Sequence, residues 1–129
     1  MGQTLKKNTR QLLKEIYDGQ IDQHIDLYEL SNQHRRKHGP SCDMYPSDPL
    51  QAPLWSVITF LTHAKRILEI GCGYGYTAAV MASAAGPNCH VDTIEQDPSH
   101  AKLAADAFEQ RGLSKRISIV QGRGEKHLS

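Results

Sequence analysis

No run of this sequence is apolar for long enough to span a bilayer, so a membrane-crossing helix is not expected. Charge of one sign is also scarce. Fifteen Lys and Arg stand against fourteen Asp and Glu, a net +1. That balance argues against bulk attraction to nucleic acid or to a membrane surface. Met1 to Arg10 is polar and lysine-bearing without an apolar core, so it does not read as a secretory signal. Cysteine is limited to Cys42, Cys72 and Cys89, an odd number without framework spacing. Disulfides are therefore not expected, and a reducing, cytoplasmic setting is. Internal repeats and low-complexity tracts are missing as well.

What remains is a chain of 129 residues, long enough for one domain and too short for two ordinary ones. Leu5, Leu12, Leu13, Ile16 and Tyr17 predict a helix over Thr4 to Tyr17, stopped at Asp18-Gly19. Ile21, Ile25 and Tyr28, with Leu27 and Leu30 beside them, predict a second helix. It should fade through the polar stretch Asn32 to His38 and end at Gly39-Pro40. Ser41 to Pro49 reads as a loop. Leu54, Val57, Ile58 and Leu61 predict a third helix, with Pro53 in its first turn.

The pattern then changes. Arg66 to Ile70 is short, apolar and β-branched, and it stops at a glycine cluster, as a strand would. Tyr76 to Ala85 is alanine-rich and helical in pattern. His90 to Glu95 reads as a second strand. Asp97-Pro98 supplies an N-cap and a proline at the first helical position. Ala101, Ala104, Ala105 and Phe108 carry that helix to Arg111-Gly112, and Arg116 to Val120 is the third strand. Helices followed by β-α-β-α-β predict an α/β fold: a Rossmann-like, doubly wound parallel sheet with right-handed crossovers, ending after its third strand. The expected division is an N-terminal helical segment and loop over 1–52 and a Rossmann-like half-domain over 53–129.

Three features of that half-domain coincide. Gly71, Gly73 and Gly75 follow a strand and open a helix, so backbone can approach a ligand and helix N–H groups can point at it. Glu69 lies two residues before the first glycine, at the carboxyl end of the strand, where open α/β sheets bind ligands. Glu95 ends the second strand, where a carboxylate can accept bonds from both hydroxyls of a ribose. A dinucleotide fingerprint would place its third glycine at Tyr76, and Glu69 would repel an anionic pyrophosphate, so a dinucleotide-binding domain is disfavoured.

Arg66-Ile-Leu-Glu-Ile-Gly-Cys-Gly-Tyr-Gly-Tyr-Thr77 resembles motif I of the class I S-adenosylmethionine (SAM)-dependent methyltransferases. Gly75-Tyr76-Thr77 is similar to the corresponding turn of the catechol and caffeoyl-CoA type O-methyltransferases. Val91 to Glu95 and Ile119 to Glu125 resemble the second and third strands of those enzymes. The resemblance covers roughly residues 44 to 129 and implies SAM as co-substrate. Glu69 would hold the methionine amino group, and Gly71, Cys72 and Gly73 would lie in the loop against the methionine portion. Tyr76 and Thr77 would help hold its carboxylate. Glu95 would bind the ribose, with Gln96, Gly124 and Glu125 near the adenine and Met44 over the ligand. Tyr74 and Tyr76 either touch the ligand or cover the helix start.

The same resemblance marks what the chain does not match. The family's metal-binding Asp and Asn residues and its acceptor-side lysine follow a fourth strand, so no divalent metal is assigned. The expected reaction is methyl transfer to a small-molecule acceptor. The competing reading is a module that binds SAM or S-adenosylhomocysteine (SAH) without transfer. A truncated reading frame is the plainest account expected for the missing half. In the family the fourth strand pairs with the first. Without it, Arg66 to Ile70 would be an open edge bearing Ile67, Leu68 and Ile70, inviting self-association or completion by another chain.

His34, His38 and Cys42 fall at four-residue spacing and have metal-ligand side chains. Beside Arg35-Arg36-Lys37 they read as a solvated, basic helix end, favourable at a C-terminus, and no metal ligand is assigned among them. Cys72 reads as a small packing residue rather than a nucleophile, and Cys89 and His90 as structural residues.

Overall fold

A computed structural model of the chain describes residues 23–127. The helix expected over Thr4 to Tyr17, and Ile21, lie outside the described residues. No helix among the described residues is long and apolar enough to cross a membrane.

Helix α1 runs through residues 23–38 and is followed by a loop. Then come α2 (Ala52–Leu61), β1 (Arg66–Ile70), α3 (Tyr76–Ala85), β2 (His90–Glu95), α4 (Pro98–Gln110), β3 (Ile117–Gln121) and a single 3-10 turn (Gly124–Lys126). The strands are parallel and ordered β1-β2-β3. Their register places Ile67 beside Val91 and Val91 beside Ile117. The third strand starts one residue later than the sequence pattern suggested. The backbone N–H of Arg116 closes a turn on the Leu113 carbonyl at 2.8 Å, and its guanidinium reaches the carbonyls of Ala82 and Gly86.

Both crossovers step in the same direction across the sheet, so right-handed connections bring α3 and α4 to one face. Val91 and Ile117 meet Ala78, Ala79, Ala82, Ala104, Ala107 and Phe108 there, and Ile67 packs against the same cluster. The alanines let the helices sit close to the sheet, and Phe108 fills the remaining space. On the opposite face Leu68, Ile70 and Val120 are exposed. The described residues thus form one wound half of the expected fold, and none of them covers the second face of its sheet. β1 pairs with β2 on one side only among the described residues.

Helix α1 departs from expectation in two respects. It stays helical through the polar stretch to residue 38. Its buried face is His24, Leu27 and Ser31, whereas Leu30 is exposed. Polar residues occupy the inner face because each has a partner. The His24 ring bonds the Ser83 hydroxyl at 2.8 Å, and the Ser31 hydroxyl donates to the Leu27 carbonyl at 2.8 Å. Arg111 donates to the Gln23 carbonyl and pairs with Asp26. Burial, and then the Arg111 charge, push His24 down to about 4, so it is neutral at pH 7. Leu27 joins the same core as the sheet's helices.

Candidate functional site

The glycine loop is held by backbone bonds that continue the sheet into the helix. The Gly71 N–H donates to the Ile94 carbonyl at 2.7 Å, and the Gly75 N–H to the Cys72 carbonyl at 2.7 Å. Gly75 is the N-cap of α3 at φ 88°, a left-handed conformation that side chains resist. A Cβ there would lie 2.4 Å from the Phe108 ring. Gly73, at φ 52°, faces Met44, whose Cγ would be 3.3 Å from an added Cβ.

Two carboxylates flank this loop. Glu95 is buried and oriented by backbone: Oε2 accepts from the Gly73 N–H and Oε1 from the Asp97 N–H, each at 3.0 Å. A carboxylate has about four lone-pair sites, so both oxygens keep capacity for further donors. Glu69 sits on the neighbouring strand, level with Thr93, whose hydroxyl donates to Oε1 at 2.7 Å. Burial, with the Glu95 charge as a smaller contribution, pushes Glu69 up to about 7 against the opposing Thr93 bond. Glu69 is therefore a carboxyl close to half-protonated at neutral pH. Burial and the same two acids push the Cys72 thiol up to about 12, so it is not a nucleophile.

A cavity of about 800 Å³ opens at the carboxyl ends of β1 and β2. The residues that the resemblance assigned to the ligand line it: Met44, Glu69, Gly71, Cys72, Gly73, Tyr76, Thr77, Glu95, Gln96, Gly124 and Glu125; Gly75, the third loop glycine, does not. Met44 is buried and lies across the glycine loop. The hydroxyl of Tyr76 is buried and finds no hydrogen-bond partner among the described residues. Such a group favours a ligand that completes it.

The cavity also takes in Ser31, Asp43, Tyr45, Trp55, Asp97 and His100, which sequence reasoning did not place there. Of these only Asp97 carried a signal, as an N-cap, and it does cap α4 by accepting from the Ser99 and His100 N–H groups. The others come from α1, the following loop, α2 and α4, and only the fold brings them together. His34, read as part of a solvated basic end, lies against the buried His100 at 5.2 Å between ring centroids. Cys42 is likewise buried, 7% exposed, so that reading is corrected for both residues. His38 and the basic run do face solvent.

The profile of the O-methyltransferase family matches residues 18–129. The chain belongs to the O-methyltransferase family. Among curated proteins, it is 38% identical over 82 residues to a protein-L-isoaspartate O-methyltransferase of Methanococcoides burtonii, covering 64% of this chain and 40% of that one. It is 35% identical over 75 residues to a catechol O-methyltransferase of Niastella koreensis, covering 58% and 34%. The O-methyltransferase TomG of Streptomyces achromogenes, solved in complex with SAM, superposes with a TM-score of 0.67 at 29% identity, covering 78% of this chain and 44% of that chain. This O-methyltransferase chain therefore spans less than half the length of each of these relatives.

Proposed function

We propose that the chain carries the SAM-binding half of a methyltransferase that moves a methyl group from SAM to an oxygen of a small-molecule acceptor. One observation carries this reading: two acidic side chains, Glu69 and Glu95, flank a glycine loop at the mouth of one cavity at the ends of adjacent parallel strands. Their chemistry fits the two ends of SAM. Glu69 meets the cationic amino group of the methionine portion, and Glu95 accepts from the ribose hydroxyls. Gly71, Cys72 and Gly73 admit the methionine chain, and the orphan Tyr76 hydroxyl and Thr77 serve its carboxylate. Gln96, Gly124 and Glu125 border the adenine, with Met44 as the cover. Residues 53–129 form the donor-binding half, and the preceding segment supplies that cover. SAM- and SAH-bound structures among similar proteins support the choice of ligand.

When SAM is bound, its sulfonium supplies an electrophilic methyl carbon. An acceptor oxygen that has already given up its proton to a base would form a bond to that carbon as the carbon–sulfur bond breaks, and SAH, now uncharged at sulfur, would leave. The chain's own part is to position the donor and to hold its charges. Calorimetric titration with SAH tests the reading. Saturable binding that is lost in Glu95→Ala is the expected result, and a folded chain that takes up no SAH refutes it.

The raised Glu69 adds a pH signature. Below pH 7 the free chain holds a proton on Glu69, and the ligand's ammonium must expel it. Above pH 7 there is none to expel. SAH affinity should therefore rise with pH by up to about tenfold per unit below 7 and level off above it. Titration in two buffers of different ionisation enthalpy counts the released proton. Glu69→Gln should bind more weakly and with no pH dependence. A wild-type affinity that is flat from pH 5.5 to 8 removes Glu69 from the amino-group role.

The bare edge of β1 completes the proposal. Its outer edge, unpaired among the described residues, and the exposed Leu68 and Ile70 suit pairing with a further strand, from a second copy or another polypeptide. Sedimentation of residues 1–129 should show association that grows with concentration and weakens in Leu68→Lys. A monodisperse monomer at all concentrations would argue for an edge that needs no cover.

A further inference from the structure

His34, Cys42 and His100 come from three separate elements: the last turns of α1, the loop after it and the first turn of α4. Each offers one ligand atom, and the three atoms lie within 4.8 Å of one another. Cys42 Sγ and His100 Nε2 are 4.0 Å apart, and both residues are buried. The two imidazoles stand nearly perpendicular, at 82°, so their edges converge rather than stack. A tetrahedral zinc ion takes sulfur at about 2.3 Å and nitrogen at about 2.0 Å. Its ligand atoms then stand roughly 3.3–3.5 Å apart, against 4.0 Å for Cys42 and His100 and up to 4.8 Å within the group, so the side chains must move inward by about 1 Å to close the site.

We propose that these three residues form a zinc site, with Cys42 as thiolate and His34 and His100 as neutral imidazoles. One thiolate with two imidazoles is a donor set suited to zinc rather than to magnesium or calcium. His100, and Asp97 at the start of its helix, also line the cavity. The surroundings are built to hold the ligands. The Cys42 N–H closes a turn on the Gly39 carbonyl at 3.1 Å, and the Gly39 N–H caps α1 on the Arg35 carbonyl at 2.9 Å. Asp97 accepts the His100 backbone N–H at 3.2 Å and places its second carboxylate oxygen 3.9 Å from His100 Nε2.

The consequence is structural. Met44, two residues beyond Cys42, lies across Gly73. A metal bound here would tie α1 and the Met44 loop to α4 and so fix the cover of the glycine loop. The site stands apart from the donor reading, because metal uptake needs no SAM.

The full chain, stripped with EDTA, is titrated with zinc against a chromophoric chelator, and separately with cobalt. One zinc per chain, bound more tightly than about 1 μM, is expected. Cobalt should give a thiolate-to-metal charge-transfer band and the visible bands of a tetrahedral ion. Cys42→Ser should abolish the band and weaken zinc by about 100-fold or more, and His100→Gln by at least about tenfold. Cys89→Ser should titrate like the wild type. The wild-type cobalt spectrum needs no variant to fold, so a spectrum without a thiolate band overturns the proposal. So does a band that survives in Cys42→Ser or is lost only in Cys72→Ser or Cys89→Ser.

Discussion

Gly75→Ala should lower the stability of the fold by about 4 kcal/mol, read as a shift in the denaturant midpoint at unchanged slope. Two costs add. At φ 88° an L side chain is in the left-handed region, which costs roughly 1–2 kcal/mol. The new methyl group would also stand 2.4 Å from the Phe108 ring. Phe108 is 1% exposed and surrounded by the core, so the ring has nowhere to withdraw. Overpacking of this kind costs typically about 1–3 kcal/mol. A domain of ordinary stability holds about 5–15 kcal/mol, so the loss removes between about a quarter and four-fifths of it. Gly71→Ala is the contrast. Its φ of 83° carries a similar backbone cost, but no atom lies within 4 Å of an added Cβ. It should lose only the backbone share. Equal losses in the two variants would show that the Phe108 contact contributes nothing.

Glu95→Ala should weaken SAH binding by about 100-fold, measured by calorimetry on a chain whose circular dichroism is unchanged. A hydrogen bond to a charged acceptor is worth about 1.5–3 kcal/mol, and the ribose is proposed to make two. Two bonds at the low end already correspond to about 100-fold. The truncation also strips the acceptor from the Gly73 and Asp97 N–H groups, so the loop and the first turn of α4 lose the pin they share. Glu95→Gln separates the effects. It keeps one acceptor oxygen but turns an amide NH₂ toward a backbone donor, and it should fall between the wild type and alanine. Wild-type affinity in folded Glu95→Ala would remove the ribose role.

The order of elements could be read from local pattern because local pattern causes it. Arg66 to Ile70 is a short, apolar, β-branched run that stops at a glycine, and the Asp97-Pro98 pair starts a helix by its own geometry. The loop from Gly71 to Gly75 could be read for the same reason, since its backbone needs glycine wherever the chain goes next. Helix α1 was harder. Its inner face is His24, Leu27 and Ser31, and hydropathy places the first and last outside. They are inside because Ser83 and the Leu27 carbonyl satisfy them.

By itself, then, the sequence determined the α/β alternation, the glycine loop and the acids that end the first two strands. Each depends on a few consecutive residues and on dihedral or hydrogen-bonding needs met within them. Only the tertiary structure decided the rest. It set the proton affinity of Glu69, which burial controls, and laid Met44 over Gly73. It also drew His100 to His34 and Cys42 across 58 residues of chain from the latter. Desolvation and long-range contact depend on what packs alongside, and that follows from the whole fold rather than from any segment of it.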